Sequence, residues 1–400
     1  MLGGIRDTKI WSKNNSMLEI LFSILMLLVP LAALMNFNFL RIFPLLFIGA
    51  NPYVASASLL ASFFFRFGLV VKFDTRKSIY IVFFIWLFYS ILLMIKGFDT
   101  KTFSELFQLI LAITLFNSIY NYINSEERLN RIMDGLMYSG IFLALIESII
   151  FFGNLNIVNS SFIGSDVENY TAFYVLVTCS AIPLYRLKNN YTKFVVLAIA
   201  FFAITLNQSR AALLIFYILI AAYFYLNTRN KLLVTFVAFL GLASFSVYQL
   251  NSIDLYDNKS IYSLLNLDNN FSNLERIALI QYAYEVFQSS PEGHGIGSAT
   301  EITALNPYTV LEYPHPHNTL ALFMIEQGIL GVLIYISIFA SCFRQISLAP
   351  KKIKDLMYLL LLVVLLLSLA DAIFYNGSLT LLFFMVLGLI TASSKLEDHA

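Results

Sequence analysis

The sequence predicts an all-α polytopic membrane protein with about 12 transmembrane helices, and three observations predict it. Of its 400 residues, 59% are hydrophobic and only 12% charged, whereas a soluble domain carries about 25% charged residues. Apolar runs near the ~20-residue length that spans a bilayer recur from one end of the chain to the other. The basic residues fall on alternate sides of those runs, as the positive-inside rule asks of a membrane bundle. The net charge is +1, which gives no electrostatic case for nucleic acid.

Taken in order, the expected spans are 17–35, 38–65, 79–95, 103–122, 132–152, 169–187, 192–206, 210–226, 231–249, 317–341, 356–370 and 378–393. All belong to one integral membrane domain, 1–400. The second span contains Pro44 and Pro52, so it reads as kinked or as a re-entrant pair. Splitting it into two full spans would invert the charge pattern downstream. The N-terminus carries Arg6, Lys9 and Lys13, but the apolar run from Met17 to Met35 is longer than a signal-peptide core, so a retained first helix is expected. With that end in the cytoplasm, 19 of the 25 basic residues fall on the inner side. Arg41, Lys96, Lys101, Arg210, Lys259 and Arg276 are left on or near the outer face. Cys179 and Cys342 each lie in or beside an apolar run, and no disulfide is expected between them.

One large outer loop, about 250–316, separates the ninth and tenth spans. It holds eight acidic residues and two bases, Lys259 and Arg276. Ser272-Asn273-Leu274-Glu275 has the capping-box pattern, and Leu274, Ile277, Ala278, Tyr284 and Phe287 follow it. This predicts an amphipathic surface helix over 273–288, stopped by Ser289-Ser290-Pro291.

The loop ends in Tyr313-Pro314-His315-Pro316-His317-Asn318, which runs into the tenth span. The prolines keep the approach extended, and Asn318 is a good N-cap type. His317 then sits at the positive end of the helix dipole, where a neutral imidazole can accept a proton as a general base. The plain alternative is an interfacial histidine with no chemistry. Arg210 opens the eighth span behind Ser209 and reads either as a snorkelling side chain or as a ligand for an anionic headgroup. Arg276, in the first turn of the surface helix, reads as a phosphate ligand or as a salt bridge to Glu275 or Asp268.

Gly293-His294-Gly295-Ile296-Gly297 follows no strand and opens no nucleotide-binding unit, so it reads as a flexible turn. His294, His315 and His317 have no clear fourth ligand beside them, and no metal or other cofactor is expected. Glu147, Glu326 and Asp371 fall in or at the edge of apolar spans, where an acid faces a cavity or a partner. Glu326 lies nine residues beyond His317, about 13 Å deeper. It therefore reads as structural, pairing across the bundle.

Three blocks resemble the bacterial O-antigen ligase and polymerase superfamily. They are Ser209-Arg210 with its apolar helix; Leu274-Glu275-Arg276 leading to Ser290-Pro291 and Gly295-Ile296-Gly297; and His315-Pro316-His317-Asn318 followed by Glu326-Gln327-Gly328-Ile329-Leu330-Gly331. The resemblance implies metal-independent glycosyl transfer at the periplasmic face of the inner membrane, with both termini cytoplasmic. It implies a glycan on undecaprenyl diphosphate as donor. Arg210 and Arg276 would hold the diphosphate, and His317 would activate the acceptor hydroxyl. His315, Asn318 and Glu326 are secondary candidates.

The acceptor would be lipid A–core in a ligase or a second lipid-linked repeat in a polymerase. Ser368-Leu369-Ala370-Asp371 and the short His-Pro-His-Asn approach look more like ligases. His294 departs from the family, whose glycine-rich turn is commonly apolar there. A flippase or other twelve-span transporter would instead predict internal repeats and midplane charges, and the sequence shows no obvious repeat.

Overall fold

A computed structural model describes residues 74, 77–96, 100–152, 172–206, 209–227, 271–306, 316–375 and 377–396. The described residues form helices and connecting turns, with no strand among them. In chain order these are α1 Ser78–Lys96, α2 Thr100–Tyr122, α3 Glu126–Phe152, α4 Ala172–Arg186, α5 Asn190–Leu206, α6 Arg210–Asn227, α7 Phe271–Ser289, α8 Ala299–Ala304, α9 Thr319–Ser347, α10 Lys351–Ala370 and α11 Gly377–Ser393. The expected spans at 17–35, 38–65 and 231–249 lie outside the described residues, as do His315 and the outer parts of the 250–316 loop.

By length and composition α1, α9 and α10 can cross a membrane, while α4, α5, α6 and α11 are shorter apolar helices. On α1, Tyr80, Phe83 and Trp86 point inward and are nearly inaccessible, yet Phe84, Ile85, Phe88, Leu92 and Ile95 stand exposed on the opposite side. A helix apolar all round needs an apolar exterior. In lipid, apolar burial drives little association, so the bundle depends on contact packing. Trp86, Phe323, Phe374, Phe383 and Phe384 supply much of it, with ring centroids 5.0–5.9 Å apart, in tilted, edge-on and stacked pairs joining α1, α9 and α11. Such pairs contribute about 0.5–1.5 kcal/mol each beyond their buried area.

Several helices run past the expected span limits. α3 begins at Glu126 rather than 132, so Arg128 and Arg131 stand in its first turns and not in a loop. α10 begins at Lys351 rather than 356, and α9 continues to Ser347 rather than 341. A hydropathy reading sees only the apolar part of a helix, whereas the hydrogen-bond ladder continues into polar turns outside it. α4 contains a π turn, Val177–Ala181, ahead of Pro183. Proline has no N–H for the carbonyl four residues back, so the ladder widens there. Cys179 and Cys342 are both buried free thiols.

The bundle has two chemically different ends. At one end Lys77 reaches Gln345 and Ser394, Lys352 reaches Glu126, Arg186 forks onto Asp134 at 2.6–2.8 Å, and Lys395 lies over the Tyr120 ring. The opposite end carries the start of α9, the end of α10, the start of α11, the end of α1 and the start of α2.

Candidate functional site

Asn318 is the N-cap of α9: its backbone is extended and its side-chain oxygen accepts from the Ala321 N–H at 3.0 Å. The cap forms where the Asn type after a Pro-flanked approach predicts it. The same side chain also donates to the Leu369 carbonyl at 2.8 Å, at the end of α10. Thr319 Oγ1 donates to the Asp371 carbonyl at 2.9 Å and accepts from the Ile373 N–H at 3.0 Å. These bonds staple the head of α9 to the segment that follows α10.

The staple sets Asp371 beside His317. Asp371 is 3% exposed, its carboxylate accepts from its neighbour's N–H at Ala372, and the same oxygen lies 3.5 Å from His317 Nδ1. That is longer than a well-formed N–H···O bond. Nδ1 is closed to solvent while the side chain as a whole keeps 18% exposure, so the exposed part of the imidazole lies elsewhere on the ring. A carboxylate hydrogen-bonded at Nδ1 would select the tautomer that carries its proton there and leave Nε2 able to accept.

A second construction lies deeper along α9. At Gly328 the helix breaks, with φ 58° and ψ −144°. In an unbroken helix the Ile329 N–H would bond the Ile325 carbonyl. Here Ile329 donates instead to the Pro291 carbonyl at 2.8 Å, and Ile325 accepts from the His294 N–H at 3.0 Å. Gly295 donates to the Glu326 carbonyl at 2.8 Å. The glycine-rich turn has thus taken over the bonds that the kink releases. A Cβ at Gly328 would fall 2.1 Å from the Pro291 oxygen, and one at Gly293 would fall 2.6 Å from the Glu326 oxygen, so both positions demand glycine.

The Glu326 side chain completes this joint, accepting from the N–H groups of Gly297 at 3.0 Å and Ala299 at 3.3 Å. The turn is therefore a clamped joint and not the flexible turn expected. The sequence offered no cue, because the ladder it replaces lies some thirty residues away. Glu326 crosses to the backbone of this turn, at the start of α8.

The joint also fixes the height of Arg276. α7 spans Phe271–Ser289, so Ser272 lies inside its first turn and not at the cap expected. Its buried residues Leu279, Ala283 and Val286 continue a stripe from Arg276, and Ala283 and Val286 pack with Ala321, Leu322 and Ile325 of α9. The two helices run side by side in the same direction into the joint. Arg276 stands 15 residues before Pro291, and His317 stands 12 before its bonding partner Ile329. At about 1.5 Å per residue, the two lie within roughly 5 Å of the same level. Arg276 is half-buried and meets no hydrogen-bond or ion-pair partner among the described residues. Arg210 is the first residue of α6, whose start is capped by Ser209 Oγ at 3.5 Å from the Ala212 N–H; the arginine side chain itself lies outside the described residues.

Residues 195–336 match the family model described as O-antigen ligase. Over that stretch the chain is similar to the O-antigen ligase family. That stretch runs from α5 into α9 and contains Arg210, Arg276, both halves of the joint, and His317. A comparison with curated proteins finds no match.

Asp371 lies beyond the O-antigen ligase stretch, and no site role was expected for it. The available cue was its place as one of three acids in or beside apolar runs. His294 is exposed and takes part in the joint through its backbone. Among the described residues no cluster of three metal-ligating side chains occurs.

Proposed function

We propose that this chain is an inverting glycosyltransferase of the O-antigen ligase type. It takes a glycan from undecaprenyl diphosphate and joins it to a lipid A–core hydroxyl at the periplasmic face of the inner membrane. The observation that carries the reading is the His317–Asp371 pair at the head of α9, with Arg276 at the same height, beside and within the stretch that matches the family.

In this mechanism His317 Nε2 takes the proton from the acceptor hydroxyl as that oxygen attacks the anomeric carbon. The bond from that carbon to the diphosphate breaks on the opposite face, which inverts the configuration. Undecaprenyl diphosphate leaves with the bonding electrons, and Arg210 and Arg276 neutralise its charge. Asp371 holds the ring in the required tautomer and balances the imidazolium that forms. A general base of this kind contributes about 10²–10⁴-fold.

The experiment is the lipopolysaccharide pattern of a deletion strain complemented with wild type, Arg276→Ala or Arg276→Lys. Loss of ligase activity leaves bare lipid A–core, with lipid-linked glycan accumulating. Arg276→Ala should reproduce that pattern, and Lys should rescue only in part, because an ammonium lacks the bidentate fork. A polymerase remains the second reading, since the family stretch is shared by both activities. A core carrying a single repeat would assign the chain to that reaction and keep the mechanism. Normal long-chain lipopolysaccharide in the Arg276→Ala strain would overturn it.

A further inference from the structure

α7 leaves a narrow apolar surface open. Ile277, Ile280 and Tyr284 are 58%, 43% and 52% exposed. At 3.6 residues per turn the three fall within an arc of about 60°. The arc has two different borders. On one side is the buried stripe of Leu279, Ala283 and Val286, of which Ala283 and Val286 pack with α9. On the other side stand the exposed polar side chains of Gln281, Glu285 and Gln288. Arg276 lies at the start of the arc, between it and the buried stripe.

The apolar stripe joins a cation to a lipid-facing surface. From Arg276, level with His317, α7 runs about 20 Å beside α9 to the joint. There Ile329 donates to the Pro291 carbonyl, and Ile329 opens a second exposed apolar run, Ile329, Leu330, Leu333 and Ile336. That run belongs to α9, a helix able to cross a membrane. Irregular backbone at membrane depth is tolerated where its polar groups are paired. The joint meets that condition, since the N–H groups of His294, Gly295 and Ile329 all have carbonyl partners.

A guanidinium at the head of an apolar stripe fits a lipid with an anionic head. Arg276 meets no hydrogen-bond or ion-pair partner among the described residues. The stripe is about one side chain wide and is edged by Gln281 and Glu285, so it suits one chain and not the two acyl chains of a phospholipid. We propose that this stripe is the track for the single polyprenyl chain of a lipid diphosphate, with the head at Arg276 and the tail passing Ile329 into the bilayer. The proposal rests on the transferase reading for the identity of the lipid, and it places the part of the donor which that reading leaves unplaced. Inside a bilayer the chain gains packing contact and not burial from water, so the track aligns the head with Arg276 more than it tightens binding.

The test places photoreactive benzoylphenylalanine at position 280, or at position 285 as the control, in the full chain. Ile280 and Glu285 are both exposed, so neither replacement enters the packed face. The protein is held in phosphatidylcholine nanodiscs with undecaprenyl diphosphate added, and mass spectrometry after irradiation identifies the attached lipid. An undecaprenyl diphosphate adduct at 280 and not at 285 is expected, with its yield falling at least about fivefold in Arg276→Ala. A phosphatidylcholine adduct alone, no lipid adduct, an equal undecaprenyl yield at 285, or a yield unchanged in Arg276→Ala would overturn the proposal.

Tyr284 gives a second readout. It stands about 12 Å along α7 from Arg276, at the limit of what a geranyl chain reaches. Tyr284→Asn, checked for an unchanged melting midpoint, should raise KM for an undecaprenyl-linked donor about threefold relative to a geranyl-linked one, through lost chain contact. An unchanged ratio would overturn the track. The two readings fail separately. An undecaprenyl adduct at 280 with normal transfer in His317→Ala removes the transferase mechanism and leaves the track. Transfer lost in His317→Ala with no undecaprenyl adduct removes the track alone.

Discussion

Removing the Glu326 carboxylate should loosen the joint between the glycine-rich turn and the broken helix. Its oxygen accepts from two N–H groups, Gly297 at 3.0 Å and Ala299 at 3.3 Å, and the side chain is 5% exposed. Alanine would leave both N–H groups unsatisfied in a buried place, at about 1–3 kcal/mol each, or roughly 2–6 kcal/mol together. Glutamine keeps an acceptor oxygen in the same position but loses the charge assistance, so its cost is about 1–3 kcal/mol in total. The order Ala worse than Gln, and Gln worse than wild type, is therefore set by the geometry. The assay is a thermal scan in detergent at one fixed rate, since a membrane bundle unfolds irreversibly and its midpoint depends on rate. Limited proteolysis supplies the local readout, with new cleavage expected between residues 290 and 306. An Ala variant with the wild-type midpoint and no new cleavage would refute the argument that Glu326 holds this joint.

Three further outcomes follow from particular contacts. Gly328→Ala should be more damaging than Glu326→Gln, because its Cβ would overlap the Pro291 carbonyl and φ is 58°; expression and melting midpoint measure this, and a wild-type midpoint would contradict it. His317→Ala should lower transfer by about 10²–10⁴-fold with donor binding kept, and Asp371→Asn should lower the rate without weakening donor binding; single-turnover assays with lipid-linked donor separate these effects, and full activity in either variant would remove the pair from the mechanism. Burial pushes the Lys395 amine down to about 8, with Lys77 adding to the fall and Asp74 opposing it. An unfolded lysine titrates near 10.4, so between about pH 8 and that value the unfolded chain holds more protons and stability should rise with pH. Melting scans across pH 7–11 should show that rise in wild type and a flatter profile in Lys395→Met, and identical profiles would refute it.

The amino-acid sequence by itself determined the helical membrane class, the cap at Asn318, the helix that ends at Ser289 and the family blocks. These depend on local chemistry: apolar run length, cap type, and the stop that Pro291 imposes. Helix ends such as Glu126 and Lys351 were missed by several residues, because hydropathy marks the apolar stretch and not the ladder that extends beyond it. The depth of Glu326 and its structural role were legible from spacing along one helix.

What only the tertiary structure decided are the pairings between distant segments. Asp371 meets His317 because Asn318 and Thr319 bond to the end of α10, some fifty residues away. The glycines of the 293–297 turn and Gly328 had no separate meaning until their backbones were seen to exchange hydrogen bonds. A sequence records which groups can donate, accept or carry charge; which of them find one another is set by helix packing and by the backbone bonds that a break in a helix releases.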